Sequence, residues 1–118
     1  MEFSSFRSLD LYKKADLLVL CIYRVTKKFP RDEIFGLTSQ MRRASVSVVA
    51  NIVEGYGRRT ANDKSQFYYI ARGSLHEVEY YIDLALRLDY LDKEAHSELK
   101  TLRDDVGKLL KGFIDSIR

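Results

Sequence analysis

Apolar residues recur at steps of three and four along most of the chain, the period of amphipathic helices, and they predict four helices and no strand. In the first segment Leu11, Ala15, Leu18, Val19, Ile22, Val25 and Phe29 share one face. Asp10 is placed to cap it, Lys27 and Lys28 suit the carboxyl end of its dipole, and Pro30 stops it. A second helix runs from about residue 37 to 57, with Thr38 or Ser39 as candidate caps. "RRTANDKS" then reads as a polar joint, and a third helix begins near Ser65. Its stripe holds Phe67, Ile70, Ala71, Ser74, Val78, Tyr81, Ile82, Ala85 and Leu88. "DYLD" breaks the pattern, and Asp92 caps the fourth helix. There Leu99, Leu102, Val106, Leu109, Phe113, Ile114 and Ile117 repeat almost as a heptad. Helices of ~20 to 27 residues joined by connections of ~3 to 8 predict an all-α, antiparallel up-and-down four-helix bundle. One domain spans residues 1–118, with 1–8 as a short amino-terminal arm.

The second helix carries more apolar surface than one bundle core requires. Leu37, Met41, Ala44, Val48, Ile52 and Gly55 form a core stripe, and Val46, Val49 and Val53 form another beside it. Gln40, Arg43, Ser47, Asn51, Glu54 and Arg58 share the remaining face. A wide contact with two neighbouring helices explains this pattern; a subunit interface on the second strip or the polar stripe explains it equally. Small residues such as Ala44, Ser47, Ala50 and Gly55 permit close helix approach in either case. Arg43 and Glu54 stand too far apart to pair within the helix, and a buried half-pair is costly, so partners across an interface are one reading.

Charge changes the picture only through its distribution. The net charge is +3, but residues 1–59 hold 11 basic and 6 acidic residues, and residues 60–118 hold 9 and 11. That asymmetry suits a polyanion-facing side or head-to-tail association. The single cysteine, Cys21, excludes an intrachain disulfide and sits in an apolar helical pattern, as a buried structural thiol would. No signal-peptide pattern opens the chain and no apolar run approaches ~20 residues, so a soluble cytoplasmic protein without membrane contact is expected.

Several chemistries fail on spacing. A di-iron bundle needs Glu three residues before His, whereas Gly73 and Lys93 precede His76 and His96. One cysteine and two separated histidines are too few for zinc, and "EGYGRRT" lacks the lysine and preceding strand of a phosphate loop. No metal or cofactor is therefore expected. "RGSLHE" sets Arg72 four positions before His76, closer than the Arg-x4-6-His spacing of HEPN-type ribonucleases. Acid–base cleavage by His76 is the weakest functional reading, since a helical histidine with no catalytic role explains the same residues. Glu77 and Glu79, two apart, diverge by ~200° on a helix, so one is packed or interfacial and the other solvated.

"FGLTSQMRRASVSVVANIVEGYGRR" followed by "FYYIARGSLHEVEYYIDLALRLDYL" resembles the bacterial four-helix-bundle family encoded in intervening sequences of 23S ribosomal RNA genes, also labelled S23 ribosomal-protein-like. The likeness rests on Phe35 to Arg43, Ser47, Asn51, Glu54, Gly55, Ala71, Gly73, Ser74, Glu77 and Glu79, and extends through nearly the whole chain. Val49 departs from it, standing where proline or another residue is common. The resemblance implies a closed ring, a homopentamer, and kinship with the accessory proteins that assist reverse transcriptases in diversity-generating retroelements. Those are basic ring-forming bundles that bind nucleic acid and the polymerase without catalysis of their own.

The leading expectation is thus a non-enzymatic, nucleic-acid-associated homo-oligomer that contacts RNA or DNA phosphates through basic side chains. Candidates are Lys13, Lys14, Lys27, Lys28, Arg42, Arg43, Arg58, Arg59 and Arg72, with the two arginine pairs foremost. Arg43, Ser47, Asn51, Glu54 and Glu77 are the candidate subunit interface. The alternative is a scaffold that binds a partner enzyme, such as a reverse transcriptase, through Tyr68, Tyr69, Tyr80 and Tyr81 without touching nucleic acid.

Overall fold

The computed structural model describes residues 5–117, where all regular structure is helical. The four helices are α1 (Asp10–Thr26), α2 (Leu37–Tyr56), α3 (Ala61–Arg87) and α4 (Lys93–Ser116). Each packs on its neighbours in the chain, and α4 closes the square against α1, which makes an up-and-down bundle 47 Å long and 23 × 20 Å across. Residues 1–4 of the expected arm lie outside the described residues. The rest of it forms a single 3-10 turn, Phe6–Ser8, whose Phe6 ring meets Tyr12 edge-on at 5.1 Å.

The helix ends depart from the expected caps. Asp10 lies inside α1, after a Leu9 cap that offers no side-chain bond, and its carboxylate acts on the helix dipole instead. Neither Thr38 nor Ser39 caps α2. The cap position is Gly36, and the Leu37 N–H donates to Glu33 Oε1 at 2.9 Å from the preceding 3-10 turn, Arg31–Glu33. Helix α3 begins four residues before Ser65, because Thr60 Oγ1 accepts from the Asp63 N–H at 3.1 Å. Its far end is closed by Asp89 in the left-handed conformation, φ 64°. The Tyr90 and Asp89 N–H groups there reach back to the Ala85 and Leu86 carbonyls. Asp92 caps α4 as expected, accepting from the Ala95 N–H at 2.8 Å.

The core stripe of α2 is buried as the periodicity implies. On α3 the stripe is rotated: Tyr68 is 1% exposed, whereas Ile70 and Leu88 stand at the surface. On α4, Leu110 rather than Leu109 reaches the centre. The rotation of α3 follows from Gly55. A Cβ there would stand 2.6 Å from Tyr68 Cε1 and 3.1 Å from Phe67 Cβ, so the missing side chain is what admits the Tyr68 ring between the helices. The ring then meets Phe113 of α4 edge-on at 5.9 Å.

Candidate functional site

Arg42 and Arg43 lie about 100° apart around α2, and the fold gives them different surroundings. Thr26, at the end of α1, donates its hydroxyl hydrogen to the Ile22 carbonyl at 2.7 Å. Its oxygen is thereby left to accept from Arg42 Nε at 2.9 Å. The Arg42 guanidinium also lies 4.6 Å from the centre of the Tyr23 ring, so this side chain is held against α1. Arg43 points to solvent, with no ion-pair partner among the described residues. Lys27 and Arg31 join both arginines in lining an open concavity of about 540 Å³ where α1 ends and α2 begins. Phe29, Pro30 and Ile34 supply apolar wall, and no carboxylate among the described residues lines it.

The acid nearest in sequence to Ile34 is drawn away from that concavity. Glu33 accepts from the Leu37 N–H and, through Oε2, from the Tyr90 hydroxyl at 2.8 Å. These donors hold its carboxyl below the ordinary carboxylate range, the Leu37 amide more than the Tyr90 hydroxyl. The bond to the ionised carboxylate in turn raises the Tyr90 phenol. Four basic residues thus line one concavity with no carboxylate among its described lining, and an anion placed there meets a field of one sign.

The remaining candidate cations are dispersed. Lys14 pairs with Asp105 at 3.4 Å, while Lys13 is exposed near the start of α1. Arg58 turns back to Glu54 at 2.9 Å and lies over the Phe67 ring, and Arg59 is exposed in the α2–α3 connection. Lys28 lines a separate small pocket with Tyr90 and Asp92. Arg72 lies 4.7 Å over Tyr69 and shares a groove between α3 and α4 with His76, Arg103 and Lys108, where Asp104 and Asp115 offset the charge. Sequence reasoning missed Arg31. Its only signal was its place directly after the helix-stopping Pro30, where the chain turns back on itself.

The candidate interface residues follow a different seam. Ser47 Oγ and Ser74 Oγ bond at 2.8 Å between α2 and α3, and Asn51 Nδ2 donates to the Ser47 carbonyl at 2.8 Å and to its hydroxyl at 3.1 Å. Arg43, Glu54 and Glu77 are exposed beside this partly buried polar line. Glu79, unlike Glu77, is packed: it accepts from Lys100 at 2.9 Å and faces Arg103 Nη2 at 3.5 Å. Lys100 has its ammonium favoured chiefly by that bond. Tyr68 is core rather than spare surface; Tyr69 and Tyr80 do remain exposed. Cys21 is buried, and desolvation, followed by its bond to Glu98 at 3.0 Å, raises the thiol to about 11. Among the described residues no cluster of His, Cys, Asp and Glu is arranged to hold a metal, and no helix is long and apolar enough to cross a membrane.

Comparison with known proteins places this geometry in context. The model of a family described as 23S rRNA-intervening sequence protein matches residues 7–112. A solved structure from Bacteroides thetaiotaomicron, described as a protein with unknown function from the S23 ribosomal protein family, superposes with a TM-score of 0.81 at 23% identity. The match covers 89% of this chain and 95% of that one, and shows a shared fold. No curated protein matches the chain.

Proposed function

Since the chain belongs to the 23S rRNA-intervening sequence protein family, we propose that it is a non-enzymatic, nucleic-acid-associated bundle that grips phosphates at the junction of α1 and α2. The observation that carries this reading is the convergence of Lys27, Arg31, Arg42 and Arg43 on one concavity with no carboxylate among its described lining. Such a site suits a phosphate, because guanidinium groups donate along directions that match its oxygens. It is equally a poor site for proton transfer: neither a histidine nor a carboxylate stands among its described lining residues. Arg58 and Lys14, each already paired with a carboxylate, are spectators in this reading.

Fluorescence anisotropy with labelled RNA and DNA tests it through two charge reversals on exposed arginines. Arg43→Glu is expected to weaken binding about tenfold, and Arg59→Glu to leave it within about twofold, since phosphate contacts act locally. Wild-type protein that binds neither nucleic acid near physiological salt overturns the proposal.

Self-association into a ring is part of the same proposal; Glu54 and Glu77, exposed beside the α2–α3 seam, mark its surface, while Arg43 serves the phosphate site. Light scattering should give a mass several times that of the 13.8 kDa chain; a clean monomer removes the ring. A second reading, the scaffold for a partner enzyme, is favoured by Ile70, Tyr80 and Leu88, which are 51%, 55% and 44% exposed on α3. Under that reading Tyr80→Ala, rather than Arg43→Glu, abolishes the protein's activity as a partner.

A further inference from the structure

Phe35 is 96% exposed, more than any other large apolar residue described. It stands between Ile34 and Thr38, which both line the cationic concavity, on the turn that leads from Arg31 into α2. Its ring has no aromatic or cationic neighbour among the described residues. Solvation of so large an apolar face is unfavourable, and neither the core nor a helix end depends on it. In the wall of the same concavity Arg42 bonds Thr26, with its guanidinium 4.6 Å from the centre of the Tyr23 ring, so the wall presents an anchored guanidinium as well as charge.

Ligands that offer a phosphate here differ in whether a base is free beside it. The phosphates of a duplex run along its outer ridges while its paired bases stay stacked inside, so a duplex can offer phosphate here and no base face to Phe35. An unpaired strand can place a phosphate among the four cations and lay the adjoining unstacked base on the ring. Charge with an adjacent bare aromatic is the combination that single-strand binding uses, because every base has a π-face. Resting on the reading of this concavity as a phosphate site, we infer that its ligand is a single-stranded nucleic acid, with Phe35 as the platform for one base.

The test is anisotropy at about 0.15 M salt with labelled oligouridylate, the corresponding DNA single strand, and a blunt duplex. Phe35→Ala is compared with wild type, and light scattering is run on both. Wild type should prefer either single strand to the duplex, and Phe35→Ala should weaken single-strand binding about tenfold while leaving duplex binding within about twofold. Equal effects on the RNA and DNA strands assign the contact to the base face and support the inference; loss for RNA alone overturns it, since a phenyl ring cannot read the ribose hydroxyl. Equal affinity for strand and duplex overturns it while the phosphate site stands. So does a Phe35→Ala protein that binds as wild type, or one whose main change is a smaller assembly, which makes Phe35 a subunit contact. Absence of binding to all three probes overturns the phosphate site as well.

Discussion

Gly55 is the residue on which the packing of α2 against α3 turns. Elsewhere in an exposed helix Gly→Ala adds up to about 1 kcal/mol of helix propensity. Here the added methyl meets the ring of a tyrosine that is itself 1% exposed and wedged against Phe113. Overpacking of this kind costs ~1–3 kcal/mol, so Gly55→Ala is expected to lower the urea midpoint; an unchanged or higher midpoint would show that the helices separate freely at this point. The arginine pair teaches the same lesson at the scale of one residue. Nothing in "RR" distinguishes Arg42 from Arg43, and only the Thr26 hydroxyl and the Tyr23 ring, both on α1, make one a fixed wall and the other a free charge.

At the scale of elements, the connection between α1 and α2 is tied to that between α3 and α4 by one carboxylate. Glu33 bonds the first amide of α2 and the hydroxyl of Tyr90, whose ring packs on Phe29 at 5.2 Å. Because its folded-state pKa is lowered, its contribution to stability is present above the unfolded value of about 4.3 and is lost as pH falls through the folded value. Urea midpoints of wild type and Glu33→Gln should therefore differ at neutral pH and converge as pH falls below about 4. A gap that persists unchanged into strong acid would contradict the assignment. How much of this was legible varies with the range of the forces involved. Leucine and valine spacing placed all four helices, since burial acts through period alone, and Asp92 announced its own cap. Thr60-x-x-Asp63 carried the same local signal but lay hidden in a run of polar residues read as a joint. The cap of α2 was not legible, because its acceptor belongs to the preceding turn. Nor was the cationic concavity, which needs Lys27 and Arg31 brought beside Arg42 and Arg43 by a reversal of the chain.

The whole molecule has a charge polarity that its topology makes directional. Helices α1 and α2 are neighbours, so the basic half of the sequence forms one side of the bundle. The acidic half spends its carboxylates on a network in which Glu79 and Asp83 meet Lys100, Arg103 and His96. Among the described residues the basic side has no equivalent at the α1–α2 junction, and that imbalance is the physical basis of the proposed phosphate site. It is tested most directly by the salt dependence of single-strand binding, measured by anisotropy for wild type and for the Lys27→Glu/Arg43→Glu double variant. Each phosphate contact on a single strand adds about 0.7 to the slope of log K against log salt. Wild-type affinity is expected to fall linearly on that scale, and the double variant to bind far more weakly with a slope shallower by about 0.7 for each lost contact. A double variant that binds as tightly as wild type with the same slope would place the phosphates elsewhere and contradict it.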